Sequence, residues 1–165
     1  MKILLVYSTK YGSTKKCAEL IANEISCEHK IMSVSQAKSK IKDFETIIIG
    51  GSVYMGKIRK VITHFCKHNM SILLQKKLIL FTCCYTAKET EGFFASIFDE
   101  QLIDHATYVT AVGGELNYHN MNYVYRKMFE LLNKIEGFRE GFREPSIDLE
   151  ELKVIAKIAE ESNFK

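Results

Sequence analysis

Residues 2–14 read KILLVYSTKYGST, an apolar run that passes directly into a polar segment containing one glycine. Lys2–Tyr7 is apolar at successive positions, which predicts a strand covered on both faces, as in a parallel sheet. The polar segment from Ser8 to Thr14 is a predicted loop. A helix is predicted after it, because apolar residues recur on one helical face at Ala18, Ile21, Ala22 and Ile25.

The same alternation of strand and helix continues along the chain. Four more strands are predicted at His29–Val34, Thr46–Gly50, Lys77–Cys83 and Ala106–Val112. Helical spacing of apolar residues recurs at Ile58, Val61, Ile62 and Phe65, at Phe93, Phe94, Ile97 and Phe98, and at Leu152, Ile155, Ala156 and Ala159. Repeated βαβ units predict an α/β fold in three layers: a doubly wound, five-stranded parallel sheet of order 2-1-3-4-5, in one domain over residues 1–165.

A long segment, residues 114–145, separates the fifth strand from the last helix. Segments of this length are usually functional or contain structure of their own. Helical spacing predicts an inserted amphipathic helix on Met121, Val124, Tyr125, Met128, Leu132 and Ile135. The polar and aromatic residues at its start either face a substrate or only begin the helix: Tyr118, His119, Asn120, Asn122 and Tyr123. The helix could serve a dimer, a membrane surface or a substrate.

Composition excludes several classes of function. The chain is 47% hydrophobic and 26% charged, as in an ordinary globular domain, and its net charge of +3 is too small to indicate nucleic-acid binding. No apolar stretch approaches the ~20 residues of a transmembrane helix, and the first strand is too short for a signal peptide, so we expect a cytoplasmic protein. Peripheral membrane contact stays open.

No metal site is expected. The five cysteines contain no C-x-x-C pair and are interpreted as free thiols in a reducing compartment. His64 and His68 stand four residues apart on a predicted helix, but no third ligand is identifiable. A solvated helix face is the favoured interpretation of this pair.

Three loops define the candidate site, because ligands of open α/β sheets bind at the carboxyl ends of the strands. The loop after strand one offers the hydroxyls of Thr9, Ser13 and Thr14, a flexible Gly12, and the unpaired amides of a helix N-terminus. These features predict a phosphate site, although a plain strand–helix turn with a Ser/Thr cap is the alternative. The loop matches neither the Walker motif nor G-x-G-x-x-G.

The other two loops follow strands three and four. Gly50–Lys57 contains glycines and a serine that permit close approach of the backbone to a ligand, and the alternative is a flexible loop whose Tyr54 covers the sheet edge. Cys83–Lys88 begins with adjacent cysteines. Adjacent cysteines form only a strained, rare disulfide, which favours two thiols at a strand end.

The first loop resembles the phosphate loop of flavodoxins: a strand ending in Tyr7-Ser8, then Thr9-x-x-Gly12-x-Thr14 opening a helix. The resemblance implies bound FMN with its 5′-phosphate in this loop, Tyr54 against the isoalloxazine ring, the backbone of Met55 and Gly56 near flavin N5, and the third loop at the pyrimidine end. It implies no catalytic side chain. The implied cofactor-binding residues are Ser8, Thr9, Lys10, Tyr11, Gly12, Ser13, Thr14, Ser52, Val53, Tyr54, Met55, Gly56, Cys83, Cys84, Tyr85, Thr86 and Lys88.

A narrower resemblance is to the flavodoxin-like protoporphyrinogen oxidases that use menaquinone. The residues that carry it are Ile49-Gly50-Gly51-Ser52 with Gly56, then Phe65, Lys67 and His68, and Gly113-Gly114 followed by Tyr118, Arg126, Met128 and Leu131-Leu132. The long insertion also stands at the same place. This resemblance implies a quinone or small-molecule substrate as a partner, whereas flavodoxins in general serve redox partner proteins.

Charge adds an argument about the flavin potential. The predicted rim of the site carries Lys10, Lys57, Arg59, Lys60 and Lys88. Because cations near a flavin stabilise its reduced, anionic form, we expect a less reducing flavin than in an ordinary flavodoxin.

Three functions remain open from the sequence. The first is an FMN redox protein that transfers electrons or hydride, and the second is a menaquinone-dependent protoporphyrinogen IX dehydrogenase. The third is a flavin-free phosphate-binding or regulatory α/β module. Receiver domains, the main relatives of that class, need an acidic cluster at the strand ends, whereas the first strand here ends in Tyr7-Ser8-Thr9.

Overall fold

A mostly parallel sheet lies between two layers of helices in the computed structural model, which describes residues 1–38, 40–54, 56–84, 92–115, 123–137 and 146–161. The strands are β1 (Lys2–Ser8), β2 (Glu28–Ser33), β3 (Thr46–Tyr54), β4 (Lys57–Ile58), β5 (Lys77–Cys83) and β6 (Tyr108–Ala111). The helices are α1 (Ser13–Glu24), α2 (Val34–Ala37), α3 (Lys60–His68), α4 (Met70–Leu73), α5 (Glu100–His105), α6 (Tyr123–Leu132) and α7 (Leu149–Glu160).

The strand order is β2-β1-β3-β5-β6, with the two-residue β4 paired antiparallel to β3. Counting only the parallel strands, this is the predicted order 2-1-3-4-5, so the fold class is confirmed. The parallel strands β1 and β3 are neighbours, but the chain adds β2 on one side of β1 and β3 on the other, which leaves a switch point of strand order at their carboxyl ends. In register, Tyr7 and Ser8 of β1 lie opposite Gly50 and Gly51 of β3.

Two apolar cores cover the two faces of the sheet. One contains α1 and α7, with Ile21 and Ile155 fully buried against strand residues such as Ile48. The other contains α2, α3, α4 and α5, with Ile62 and Leu102 fully buried. The central strands β3 and β5 are buried on both faces, which explains why their sequences are continuously apolar rather than alternating.

Two predicted boundaries were wrong. The third strand does not end at Gly50 but runs to Tyr54, because Val53 pairs across a hairpin with Ile58 and both side chains are buried. The fourth helix is not centred on Phe93–Phe98. A short 3₁₀ turn occupies Phe94–Ser96, and α5 begins after Asp99, whose carboxylate caps it by accepting from the amide of Gln101.

The predicted inserted helix is present as α6, within a segment that is otherwise largely outside the described residues. Its side chains Tyr123, Val124 and Leu131 are exposed. The predictions for Tyr118, His119, Asn120, Met121 and Asn122 fall outside the described residues. Among the helices that the structure describes, none is long and apolar enough to cross a membrane.

Candidate functional site

The loop between β1 and α1 is shaped to expose backbone amides. Thr9 Oγ1 accepts a hydrogen bond from the Gly12 amide at 2.9 Å, which closes the loop. Gly12 stands at the helix N-cap with φ of +103°, a left-handed conformation that favours glycine. No side chain caps α1 and no acidic residue lies in its first turn, so the amides that a helix start leaves without acceptors stay available to a ligand.

Unpaired buried hydroxyls lie near the carboxyl ends of the strands and at the start of α1. Thr14 Oγ1, Ser52 Oγ and Thr82 Oγ1 are buried and have no hydrogen-bond partner within the part of the chain that the structure describes. Ser52 lies in register with Cys83 of the neighbouring strand. A buried hydroxyl without a partner is costly, and several at one sheet edge indicate that a polar ligand completes them.

Two tyrosines and a lysine form a cluster over the first two loops. The rings of Tyr11 and Tyr54 meet edge to face, with centroids 5.5 Å apart. Lys10 Nζ lies 5.0 Å from the Tyr11 ring centroid and 5.3 Å from that of Tyr54. The Tyr11 hydroxyl is buried without a described partner. The cluster therefore places aromatic surface and one positive charge between the β1 and β3 ends, where the resemblance expects an aromatic ring to cover the cofactor.

The second predicted loop is a β-hairpin. Tyr54 pairs with Lys57, and Gly56 in the turn has φ of +72°. Val53, predicted to bind the cofactor, has its side chain buried on the α3 face with that of Ile58. Met55 lies outside the described residues.

The two glycines before the hairpin have packing roles that the sequence did not indicate. A Cβ on Gly50 would lie 2.1 Å from Phe81 Cζ, and a Cβ on Gly51 would lie 2.6 Å from Ile58 Cδ1. Each glycine therefore makes room for a neighbouring core side chain.

Glu115 is a residue at the site that the sequence did not single out. Its carbonyl oxygen accepts a hydrogen bond from Ser13 Oγ at 2.9 Å, and its carboxylate pairs with Lys16 at 2.6 Å. Ser13 therefore already has a partner, unlike Thr14. Glu115 stands about one hundred positions from Ser13 and Lys16 in the chain, so no local sequence pattern could indicate these contacts.

The third predicted loop is described only at its start. Cys83 is buried with its Sγ 3.7 Å from Cys17 Sγ, and Cys84 forms an antiparallel bridge with Gly113. The contact with Cys83 and burial raise the pKa of Cys17. All five cysteines are free thiols, with Cys83 beside Cys17 rather than bonded to Cys84. Tyr85, Thr86 and Lys88 lie outside the described residues.

The remaining cations and histidines are divided between two places. Lys57 and Lys60 are exposed beside the hairpin, whereas Arg59 lines a cleft between α2 and α3 together with His64 and His68. Val61, predicted to face inward, is 44% exposed and lines the same cleft. The described residues contain no group of three or more side chains able to hold a metal ion.

Taken together, the first loop suits a phosphate and the β1–β3 edge suits a flat aromatic group. The observations that fit are the uncapped amides of α1, the unpaired Thr14 hydroxyl, the unpaired Ser52 hydroxyl, and the ring of Tyr54. These residues therefore fit a phosphorylated aromatic cofactor such as FMN.

Comparisons with known proteins agree with this geometry. A model of the flavodoxin domain matches residues 4–140. A protoporphyrinogen IX dehydrogenase [quinone] from Leishmania major is 22% identical over 147 residues, which cover 82% of this chain and 64% of the relative. The chain thus spans about two thirds of the length of that relative.

Solved structures share the fold. A flavodoxin from the domain Archaea superposes with a TM-score of 0.61 at 20% identity, covering 97% of each chain. A flavoprotein from Lactobacillus acidophilus NCFM, solved in complex with FMN, superposes with a TM-score of 0.50 at 18% identity, covering 67% of this chain and 91% of the other.

Proposed function

Because the chain belongs to the flavodoxin domain family, we propose that it binds FMN at the carboxyl ends of β1, β3 and β5 and works as a redox protein. The observation that carries this proposal is the set of buried, unpaired hydroxyls at one sheet edge beside an uncapped helix start. A bound FMN would supply transfer of one or two electrons.

The phosphate would be held by the first loop. The amides of α1 and the Thr14 hydroxyl donate to it, and the left-handed Gly12 keeps the approach open because no atom lies within 4 Å of a Cβ built there. Lys10 adds a positive charge next to the loop. The Ser13 hydroxyl contributes only if it leaves the Glu115 carbonyl.

The ring system would lie beside the β3–β4 hairpin. Tyr54 supplies an aromatic face and Ser52 an unpaired hydroxyl. The left-handed Gly56 has no side chain and open space around its Cα, so its main-chain groups can approach a ring. No described side chain at this edge is placed as an acid or a base, so these residues bind and orient the cofactor rather than move protons.

The test is a titration of the flavin-free protein with FMN and, separately, with riboflavin, which lacks the phosphate. We expect perturbed flavin absorption bands with FMN and binding of riboflavin weaker by at least ~100-fold, because several hydrogen bonds to a charged phosphate are lost at about 1.5–3 kcal/mol each. Equal binding of both flavins would remove the phosphate loop from the proposal. No binding of either would refute it.

A second candidate is the oxidation of protoporphyrinogen IX with a quinone as electron acceptor. It is favoured by the similarity to the Leishmania major dehydrogenase, which extends over 82% of this chain. The test is the appearance of porphyrin absorption when FMN-loaded protein is supplied with protoporphyrinogen and menaquinone. Bound flavin without porphyrin formation would leave an electron carrier or another reductase.

A further inference from the structure

A cleft of about 720 Å³ lies between α2 and α3, beside the first loop, and it shares Ser8 and Thr9 with the proposed flavin site. Ser33 and Val34 line one wall, Val61 and Phe65 the opposite wall, and Thr9 stands where the cleft meets the phosphate loop. This volume is in the usual range of small-molecule sites, roughly 300–1,000 Å³.

The charge of the cleft has one sign. Lys38 and Arg59 line it, His64 and His68 add ring nitrogens, and no aspartate or glutamate is among its lining residues. Within the described residues, neither Lys38 nor Arg59 forms a salt bridge with a carboxylate. Arg59 Nε is moreover buried and has no hydrogen-bond partner in the described part of the chain. Arg59 thus lines the cleft with a guanidinium that is not neutralised by a carboxylate, and a cationic lining of this kind indicates an anionic ligand.

The walls of the cleft also favour a ligand that has an apolar part. Val61 of α3 presents exposed hydrophobic surface in the cleft, and the largely buried Phe65 of α3 and Val34 of α2 also line it. Val61 is 44% exposed although a helix of this kind usually buries such a residue. Apolar walls with a few convergent polar groups are the usual composition of a small-molecule site.

We propose that this cleft binds a small organic anion, with its carboxylate or phosphate on Lys38 and Arg59 and its apolar body on Val61 and Phe65. Since Thr9 belongs to both the cleft and the phosphate loop, the ligand lies next to the proposed flavin site. The proposal goes beyond the redox function and does not depend on it, because the cleft shares only Ser8 and Thr9 with the flavin-binding set and its cationic and apolar groups stand outside that set.

The test uses three probes with one ring system: 1-naphthoate, 1-naphthyl phosphate and the uncharged 1-naphthalenemethanol. Each is titrated into the full-length, flavin-free protein while amide shifts are followed by nuclear magnetic resonance. We expect shifts at residues 33–38 and 59–69, with the uncharged compound binding at least ~10-fold more weakly than the better anion. The stronger of the two anions identifies a carboxylate or a phosphate as the natural group.

Substitutions of the cationic residues test which positive charges bind the anionic probes. The double variant Lys38→Gln/Arg59→Gln should lose about tenfold in affinity for the anions and little for the uncharged compound. Arg59→Lys, with Lys38 kept, should retain most of the affinity. Lys67→Gln is the matched control, since Lys67 is an exposed cation of the same helix that does not line the cleft. Dispersed amide spectra check that each variant is folded.

Four results would overturn the proposal. Three are equal binding of the charged and uncharged probes, shifts centred on other residues, and unchanged anion binding by the double variant. The fourth is displacement of naphthoate by FMN, seen as loss of its shifts at residues 59–69, because it would place the flavin itself in the cleft. Failure of FMN to bind at all would refute the redox proposal and leave this one intact.

Discussion

At the scale of single residues, the informative atoms are polar groups that the described protein leaves without partners. The Thr14 side chain is fully buried at the start of α1, and its hydroxyl has only the Cys83 thiol near it, with no oxygen or nitrogen partner among the described residues. Such a hydroxyl costs stability when nothing is bound and contributes affinity when a phosphate is present. Thr14 therefore offers a way to separate folding from cofactor binding with one substitution.

We predict that Thr14→Val has opposite effects on these two properties. Valine keeps the shape and removes the hydroxyl, so the flavin-free protein should gain up to ~1 kcal/mol in the free energy of unfolding. The FMN dissociation constant should rise by about ten- to a hundredfold, because a hydrogen bond to a charged group is lost. Urea unfolding and FMN titration measure the two effects. The control is Thr63→Val, whose hydroxyl bonds to the Lys60 carbonyl in α3, far along the chain from the first loop. Unchanged FMN affinity in Thr14→Val would contradict the assignment.

A second prediction at the scale of single residues concerns the reactivity of the five cysteine thiols. Cys17, Cys66 and Cys83 are buried, whereas Cys27 and Cys84 are partly exposed. Burial raises the pKa of Cys66 to about 12, so only about one molecule in 10⁴ carries that thiolate at pH 8. We therefore expect iodoacetamide at pH 8 to modify at most Cys27 and Cys84 in the folded protein, and all five thiols in denaturant. Mass spectrometry after a timed quench counts the modified sites, and rapid modification of Cys17 or Cys66 in the native protein would refute the burial described here.

At the scale of elements, the contact between β3 and β5 decides the position of the site. Gly50 and Phe81 are partners in the parallel ladder, and the Phe81 ring occupies the space that a Cβ at Gly50 would need. The aromatic ring can fill the α1 face of the sheet only because its neighbour has no side chain. This packing fixes the position of the β3 end relative to the β5 end. Ser52 lies two residues beyond Gly50 in β3.

We predict that Gly50→Ala destabilises the protein by about 3 kcal/mol or more, because a core without spare volume must shift around the added methyl group. Adding Phe81→Leu should recover at least ~1 kcal/mol, since the shorter side chain leaves room for it. Gly137→Ala is the control: no atom lies within 4 Å of a Cβ there, so its effect should stay within about 0.5 kcal/mol. Denaturant unfolding of Gly50→Ala, Phe81→Leu, their double variant and Gly137→Ala gives the four values. Additive losses in the double variant would show that the ring is not the obstacle.

At the scale of the whole molecule, positive charge is spread along one end of the sheet. Lys10 stands over the tyrosine pair, Lys57 and Lys60 flank the hairpin, and Arg59 and Lys38 line the neighbouring cleft. The net charge of the whole chain is only +3, so it does not indicate this local excess of positive charge. A negatively charged cofactor or substrate would meet a favourable potential at this end.

We predict that the charge of Lys10 raises the midpoint potential of bound FMN. Lys10→Gln should lower the midpoint by tens of millivolts at low salt, because a cation near the ring favours the more negative, reduced cofactor. The shift should shrink as salt increases. Lys157→Gln, an exposed cation in α7, is the control and should leave the midpoint unchanged. Potentiometric titration of the loaded proteins measures both, and an equal midpoint in Lys10→Gln and the parent would exclude this role.

The sequence by itself determined the class of fold and the place of the phosphate loop. Continuous apolar runs such as Thr46–Gly50 can be stable only in strands covered on both faces, and the alternation with helices leaves few topologies. The resemblance of Thr9–Thr14 to a phosphate loop is a local pattern, so it is visible without coordinates. The structure confirmed the strand order that these patterns predict.

Only the tertiary structure decided which groups meet across long separations in the chain. The approach of Glu115 to Ser13, the Sγ contact of Cys17 with Cys83, and the ring of Phe81 over Gly50 join residues that are far apart in sequence. The same is true of the cleft, whose cations Lys38 and Arg59 stand directly after α2 and directly before α3. Periodicity reports the face on which a residue lies, but not which residue of another element packs against it, because that depends on how the elements cross and pair.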